Sequence, residues 1–387
     1  MKRICVWTLF LSLIVFSLSS QGQEAFNPEI RVWLTRWQGS PLRITCTSRW
    51  QAVSGGVQQD IPAGETVLVE QNGDDVTLQI GNERLEAKEW SLQGEAPLTL
   101  SDRANNMRTY RGRIVLRIQR GRLQVLNILP LEDYLLGVVP LEMPPNFPAE
   151  SLKAQAIAAR SWTVRNRFKH EVDGADVCDS THCQLYGGVN AEKESTTTAV
   201  RDTSGQILVN GEQPVDGVYT ADCGGLPADR DESGRDFCAD NPRHRWQLGF
   251  TFAEVWQAVV EQDSAQEMPK GDIDVQIAQT DASGRVQKLR IWCGDVVREV
   301  NGARLRAWLS LPSTLFSVRV DQGNTIVFEG SGSGHGGGLC QWGAAGRARA
   351  GQSVEQILQA YYPGARIVPL SEATWQWRRN RKANSTR

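Results

Sequence analysis

From residue 28 to about residue 127, apolar and polar residues alternate, the period of strands with one face in a core. Val76, Leu78 and Ile80 fall on one face. Ile114, Leu116 and Ile118 fall on one face of a later segment, and Leu123 and Val125 follow an Arg120-Gly121 turn, which predicts a hairpin. At Pro148 the period lengthens to that of a helix and holds to about Phe168. Pro148 suits a first turn, and Glu150 complements the positive helix start. Ala154, Ala156, Ala158 and Ala159 let neighbouring backbone come close. Lys153 and Arg160, seven apart, point the same way. Two readings of that stripe stand: a solvated face, or a face that sends one cation into a site. A loop-rich stretch runs over 173–245. Thr251 with Glu254 has capping-box spacing, residues 271–300 return to strand character, and Asn301 caps a short helix through Trp308. A last helix over 354–362 puts Ile357, Leu358 and Tyr361 on one side and stops at Pro363-Gly364. Strands and helices mix without regular βαβ alternation, so the expected class is α+β: a β-rich N-terminal part, a mixed helix/strand core, and a cleft between them.

The chain has 387 residues and a formal net charge of -2. That length suits two or three domains, or one large domain with an insertion. The near-neutral charge gives no reason to expect a nucleic-acid partner. Thirteen Trp offer flat apolar faces, which suit sugars and protein cores alike; the core is the default for most of them. Lys2 and Arg3, an apolar run from Val6 to Leu18, and then Ser19, Ser20, Gln21 and Gly22 read as a secretory signal. The run falls short of the roughly 20 residues of a membrane span. The expectation is export to a periplasm, cell wall or medium, with no transmembrane segment after cleavage. The predicted organisation is a signal at 1–22, a β-rich region at 23–111, a mixed helix/strand region at 112–370 and a basic tail at 371–387. Seven cysteines remain after the signal, an odd number that cannot all pair. Cys223 with Cys238, and Cys178 with Cys183, are the local pairing candidates, leaving at least one thiol free or metal-bound.

Three stretches carry candidate chemistry. Glu142 stands among Val138, Val139, Leu141, Met143, Pro144 and Pro145. Apolar neighbours desolvate a carboxylate and raise its pKa, and a Glu so tuned donates a proton near neutral pH. The alternative is an exposed Glu in a turn. The run Gly334-His335-Gly336-Gly337-Gly338-Leu339-Cys340-Gln341-Trp342-Gly343-Ala344 is a flexible-backbone loop whose His335 and Gln341 could bond sugar hydroxyls. A rival is a Cys340 thiol nucleophile activated by His335. Cys178, His182 and Cys183 could hold a structural zinc with a fourth ligand from Asp179, His335, Cys340 or Cys223. Equally, Cys178 and Cys183 could close a disulfide. Asp222, beside Cys223-Gly224-Gly225, reads as a brace for that turn.

These stretches together resemble the SpoIID/LytB family of bacterial cell-wall proteins. The matching residues are Glu132-Asp133-Tyr134-Leu135, Gly137-Val138-Val139-Pro140, Glu142-Met143, Leu152-Lys153-Ala154-Gln155-Ala156 and Ala158-Ala159-Arg160. The His335 run and Cys183-Gln184-Leu185-Tyr186-Gly187-Gly188 match as well. Two positions depart from the family pattern: Cys340 where Ser is usual, and Trp342 where Tyr is usual. The resemblance, over roughly 112–370, implies a lytic transglycosylase of peptidoglycan glycan strands with Glu142 as its acid/base and no required cofactor. It implies substrate positioning by Lys153, Gln155, Arg160, Gln184, Tyr186, His335 and Gln341. Some relatives bind zinc near the Cys178 stretch. Others of the LytB type stimulate a separate cell-wall amidase, so a glycan-binding activator without turnover is the alternative. Glu132 and Asp133 read as structural, with Glu132 pairing with a cation such as Arg160.

Overall fold

The computed structural model describes residues 26–39, 41–226, 230, 233–260 and 270–373. The signal at 1–22 and the tail from 374 lie outside the described residues.

The alternating N-terminal segments form two sheets over one core. One has seven strands, in the order Val177–Cys178, Glu29–Trp33, Arg122–Pro130, Arg113–Gln119, Glu89–Gly94, Trp50–Ser54, Val57–Ile61. The other runs Met107–Tyr110, Leu98–Ser101, Leu42–Cys46, Val67–Asn72, Asp75–Ile80, Glu83–Ala87. Val76, Leu78, Ile114, Leu116, Leu123 and Val125 are all fully buried in the shared core. Trp90 ties one sheet to the other by donating Nε1–H to the Val76 carbonyl at 3.0 Å. The predicted hairpin turns at Arg120 and Gly121, both at positive φ (52° and 72°), the backbone twist that joins two strands through two residues.

Strand Arg122–Pro130 is buried at every position from 123 to 129 and runs directly into helix α1 (Leu131–Glu142). The alternative of an exposed Glu in a turn does not hold: Glu142 is the partly buried last residue of a helix, and Met143 leaves it in extended conformation. The prolines hid it. Pro140 sits inside the last turn, where it removes one amide donor, and the helix still closes through Met143 N–H to the Val139 carbonyl at 3.0 Å. Leu131 and all of residues 134–140 are buried, so no one-sided apolar stripe marks the segment. Gly137 is where α1 needs no side chain, since a Cβ there would lie 2.7 Å from the Tyr186 ring.

Helix α2 (Ala149–Asn166) follows and is nearly all buried from Ser151 to Val164. Its alanines do what small residues permit: α1, α3 (Glu194–Asp202), α6 (Gln341–Arg349) and α7 (Val354–Tyr361) all pack on it. Between α3 and α6 the chain builds another core, Phe252, Val255, Leu289, Ile291, Leu305, Ile326 and Phe328 among its members. Helices α4 (Phe252–Val260) and α5 (Gly302–Leu309) lie here with two three-stranded sheets. The predicted caps are present. Glu254 accepts from Thr251 N and Oγ1 at 2.8 Å, and Asn301 accepts from Ala303 N at 2.9 Å. The fold is α+β, and no described helix is long and apolar enough to cross a membrane.

Candidate active site

At the end of α1, Glu142 is partly buried, and its Oε1 accepts the Leu185 amide at 2.7 Å. The Tyr219 hydroxyl bonds the same carboxyl group. Burial raises the Glu142 pKa above the ordinary carboxylate value, against the pull of these two donors. The Tyr219 hydroxyl itself is held far above its usual pKa, chiefly by burial, and so stays protonated. Its orientation is dictated by Gln184. The Gln184 carbonyl oxygen accepts from the hydroxyls of Thr163 (2.8 Å) and Tyr134 (3.2 Å). The amide nitrogen then donates to the Tyr219 oxygen at 3.2 Å. With its oxygen already accepting, Tyr219 has one proton to give, and Glu142 is the partner.

Tyr219 also anchors the distant glycine loop. Strand Tyr219–Thr220 pairs in parallel with Leu339–Cys340, and Gly338, at φ 67°, brings that backbone so close that a Cβ would overlap the Val218 carbonyl oxygen. His335 Nε2 lies 2.9 Å from the Tyr219 carbonyl, and its Nδ1 lies 3.1 Å from the Gly337 amide. A carbonyl only accepts and an amide only donates, so the proton is on Nε2. Burial, with Arg285 and Arg306 nearby, lowers the His335 pKa in spite of the Tyr219 carbonyl. The ring is therefore a neutral, fixed group bonded directly to the backbone of Tyr219, the partner of Glu142. This arrangement also disposes of the thiol-nucleophile rival. Cys340 is completely buried and accepts amides from Cys223 and Gly343 at 3.3 Å, while both His335 nitrogens are engaged elsewhere.

Of the residues expected to touch substrate, the structure brings Gln184 and His335 to Glu142's surroundings and sets others elsewhere. Arg160 is 0 % exposed. Its guanidinium grips Glu132 through Nε (2.8 Å) and Nη2 (2.7 Å), and bonds the Gln206 carbonyl at 3.0 Å. It is corrected from substrate contact to scaffold, and the expected Glu132 pairing is present. Tyr186 is likewise a core residue, its hydroxyl on Asn127 at 2.8 Å and its ring 5.0 Å from that of Tyr134. Lys153 pairs with Glu150 (3.2 Å) and Asp202 (3.4 Å), across to α3. Gln155 is fully buried and accepts from Gln341 Nε2 at 3.3 Å, so these two meet each other across the α2–α6 contact. Asp222 braces its turn as expected, accepting from Gly224 N at 2.8 Å. Tyr219 was not among the expected site residues, although it stands only three residues before Asp222.

The Cys178 stretch gathers a donor set of four. His170, Cys178, His182 and Cys183 each place one ligand atom within 4.8 Å of the others. His182 Nδ1 is 3.8 Å from both sulfurs and 3.1 Å from His170 Nε2. Zinc bonds of about 2.0–2.3 Å imply tetrahedral edges of about 3.3–3.8 Å, so the residues fit zinc. The fourth donor is His170, none of the four candidates expected. Asp179, one of those, spends its Oδ1 on Thr35 at 2.6 Å. The far nitrogen of His170 faces Asp173 at 3.5 Å, the outer carboxylate that commonly orients a ligating imidazole. The two residues after Cys183 are Gln184 and Leu185, so this cluster anchors the segment that holds Tyr219 and Glu142.

Fold and site define an α+β protein organised around a desolvated, hydrogen-bonded glutamic acid. The family model described as Stage II sporulation protein matches residues 119–210. A domain of unknown function, DUF8618, matches 229–338, the stretch that includes the additional core between α3 and α6. An uncharacterized protein of Brachyspira hyodysenteriae is 32% identical over 256 residues, covering 63% of this chain and 68% of that one. Stage II sporulation protein D of Bacillus subtilis is 29% identical, over 63% of this chain and 76% of its own. The amidase enhancer of Bacillus subtilis is 27% identical over 60% of this chain and 40% of its own length. The chain belongs to the SpoIID/LytB family, and its function is a cell-wall one.

Proposed function

We propose that this protein is an exported lytic transglycosylase that cleaves the bond between N-acetylmuramic acid and N-acetylglucosamine in peptidoglycan strands. The observation that carries the reading is the state of Glu142: raised in pKa by burial, yet supplied with two donors, Leu185 N–H and Tyr219 O–H, ready for its charged form. Protonated Glu142 gives its proton to the glycosidic oxygen as the muramic C1–O bond breaks. The resulting carboxylate is met by the two donors. The muramic C6 hydroxyl then closes on C1 and its proton passes to Glu142, which restores the acid. The products are a 1,6-anhydromuramyl end and a free N-acetylglucosamine hydroxyl, with no water consumed.

Glycosidases that hydrolyse with two carboxyl groups hold them about 5–9.5 Å apart. Asp133 lies nine residues before Glu142 on the same helix, about 13 Å along its axis. Glu132 is taken by Arg160. Neither supports a two-carboxylate mechanism.

Zinc held by His170, Cys178, His182 and Cys183 has a structural part in this reading. When bound it would fix the loop that ends in Gln184 and Leu185, and it takes no part in the proton transfers.

The test is product analysis on strands stripped of stem peptides. Wild type should release anhydromuramyl ends, and Glu142→Gln should release none while still binding strands. Reducing ends carrying water-derived oxygen would instead mark a hydrolase. A second reading is favoured by the likeness to the amidase enhancer: a glycan-binding activator of a cell-wall amidase. Strand binding without any cleavage by wild type, with stimulation of an added amidase, would establish it. For the metal, elemental analysis should find zinc in wild type, and His170→Ala should lower its affinity at least tenfold.

A further inference from the structure

Cys223, Cys238, Cys340 and Asp222 come together where the transglycosylase reading has no use for them. Each is at most 3 % exposed, and one ligand atom from each lies within 4.8 Å of the other three. We propose that these four residues form a second site for a thiophilic divalent cation of the zinc class, with three sulfur ligands and one carboxylate.

The geometry of the sulfurs carries the argument. Cys223 Sγ and Cys238 Sγ stand 3.8 Å apart. That is the edge of a zinc–thiolate tetrahedron, about 3.8 Å for bonds of about 2.3 Å, and nearly twice the length of a disulfide bond, about 2.05 Å. Backbone amides point at the sulfurs as they would at thiolates. Cys223 Sγ accepts Leu226 N–H at 3.4 Å. Cys340 Sγ accepts Gly343 N–H and Cys223 N–H, both at 3.3 Å, and Cys340 is the N-cap of α6, where the helix dipole favours negative charge. In both cases the amide three residues on turns back to its own cysteine.

The surroundings suit a bound cation as well. Asp222 is oriented from behind by Gly224 N (2.8 Å), Asn241 Nδ2 (2.5 Å) and His244 Nδ1 (3.1 Å). These three donors leave one lone-pair direction for a metal. The Cys238 sulfur sits 3.1 Å from Asp236 Oδ1, to which its thiol proton points; ion binding releases that proton and those of the other two thiols to solvent. Three thiolates and a carboxylate around a divalent ion keep a net negative charge. Arg285, 4 % exposed, lies alongside with Nη2 on the Cys223 carbonyl at 2.7 Å, and its Nε and Nη1 have no hydrogen-bond partner among the described residues. A buried guanidinium so placed is accounted for by an anionic cluster beside it.

The three cysteines come from separate segments. Cys223 follows the strand that carries Tyr219, Cys340 closes the strand that follows the His335 loop, and Cys238 lies in the loop before strand Arg245–Thr251. An ion here would staple both strands of the site and the intervening loop. The inference does not depend on the zinc at His170 or on Glu142 chemistry.

The test counts ions by native mass spectrometry of the purified full chain, reduced and supplied with zinc. Two zinc ions per chain are expected. Cys178→Ser/Cys183→Ser should keep one, and cobalt(II) loaded into that variant should show the strong sulfur-to-metal absorption of several thiolates. Cys340→Ser, which changes one atom, should lower the stoichiometry of wild type by one. A Cys178→Ser/Cys183→Ser protein that is folded by circular dichroism but takes up no zinc would overturn the proposal. So would an unchanged zinc count in Cys340→Ser, or a Cys223–Cys238 disulfide found by peptide mapping in place of the second ion. If the first site alone fails to bind metal, the double variant still carries its single ion, and the two claims separate.

Discussion

Replacing Glu132 with alanine tests whether Arg160 is scaffold or substrate contact. In the native chain the Arg160 guanidinium is 0 % exposed and has four bonds: two to Glu132, one to the Gln206 carbonyl at 3.0 Å and one to the Val200 carbonyl at 3.3 Å. Removing the carboxylate leaves a buried cation with two neutral acceptors. Breaking a buried pair from one side costs about 3–5 kcal/mol. The Gly205 amide, 3.1 Å from Glu132 Oε1, loses its acceptor too, which adds about 1 kcal/mol. A total of about 4–6 kcal/mol should appear as a fall in melting temperature of about 10 °C or more. Arg160→Met should cost less than Glu132→Ala. It removes the buried charge and leaves Glu132, whose side chain is 16% exposed, able to reach water. Its penalty is the Gln206 carbonyl left without its donor, about 1–3 kcal/mol, since the Val200 carbonyl keeps the Thr203 hydroxyl at 3.4 Å. The double variant should fall short of the sum of the singles by about 2 kcal/mol or more, because the stranded charge is absent. Urea and thermal denaturation measure all three. At a temperature where each variant is folded, strand binding should match wild type. A Glu132→Ala cost below about 1 kcal/mol, or an Arg160→Met protein of native stability that no longer binds strands, would refute the scaffold assignment.

Glu142→Gln should alter stability as well as turnover. The native chain keeps the Glu142 proton at pH values where the unfolded chain, with its carboxyl near 4.5, has lost it. Native stability therefore falls as pH rises through that window. The Gln variant escapes this penalty, so it should melt higher than wild type at pH 7, with the difference closing below pH 4.5; equal differences at both pH values would count against a desolvated acid. Tyr219→Phe removes a donor to the carboxylate and should raise the Glu142 pKa further, moving the alkaline limb of the pH–rate profile upward and slowing turnover by about 2–10-fold. A downward shift of that limb would contradict the assigned hydrogen bond. His335→Ala should slow turnover with that limb in place, because the imidazole bonds the Tyr219 carbonyl and leaves the carboxyl alone; a shifted limb would mean that it titrates with Glu142.

Legibility in the sequence followed the shape of the burial. Where one face is wet, as in the hairpin through Arg120-Gly121 or helix α7 with Ile357, Leu358 and Tyr361 inward, the period reports the element directly. The caps at Thr251 and Asn301 were readable because a cap is a local bond between residues two or three apart. Helix α1 was not, since burial on nearly every side erases the period and Pro140 argues locally against a helix. In the site, Glu142 could be named from its apolar neighbours and the motif around it. What its supporting residues do could not. Gln184, Tyr186 and Arg160 are polar groups in a strong motif, and such a motif looks the same whether its polar atoms face a sugar or one another. Only the partners decide: Asn127 for Tyr186, Glu132 for Arg160, Tyr219 for Gln184. His170 had a weaker excuse. The chain has only four histidines, and His170 stands eight residues before Cys178.

The site's separate pieces meet on one residue, and that convergence explains why so much of the motif is structural. Tyr219 presents its hydroxyl to Glu142 and its carbonyl to His335. A side chain and a carbonyl of one residue cannot be repositioned independently, so the glycine loop and the acid share a single reference point. Each direction of freedom at that point is then closed. Gln184 fixes the phenol, and Thr163 and Tyr134 fix Gln184 from α2 and α1. Leu339 N–H fixes the strand through the Val218 carbonyl at 3.1 Å. A general acid that works alone, the role proposed for Glu142, needs this, because its carboxyl would have to face the leaving oxygen in one step and the C6 hydroxyl in the next without turning away. The conformational cost of holding it is met by buried bonds among Gln184, Thr163, Tyr134 and Tyr219, which accounts for the polar residues buried around Glu142 in this chain.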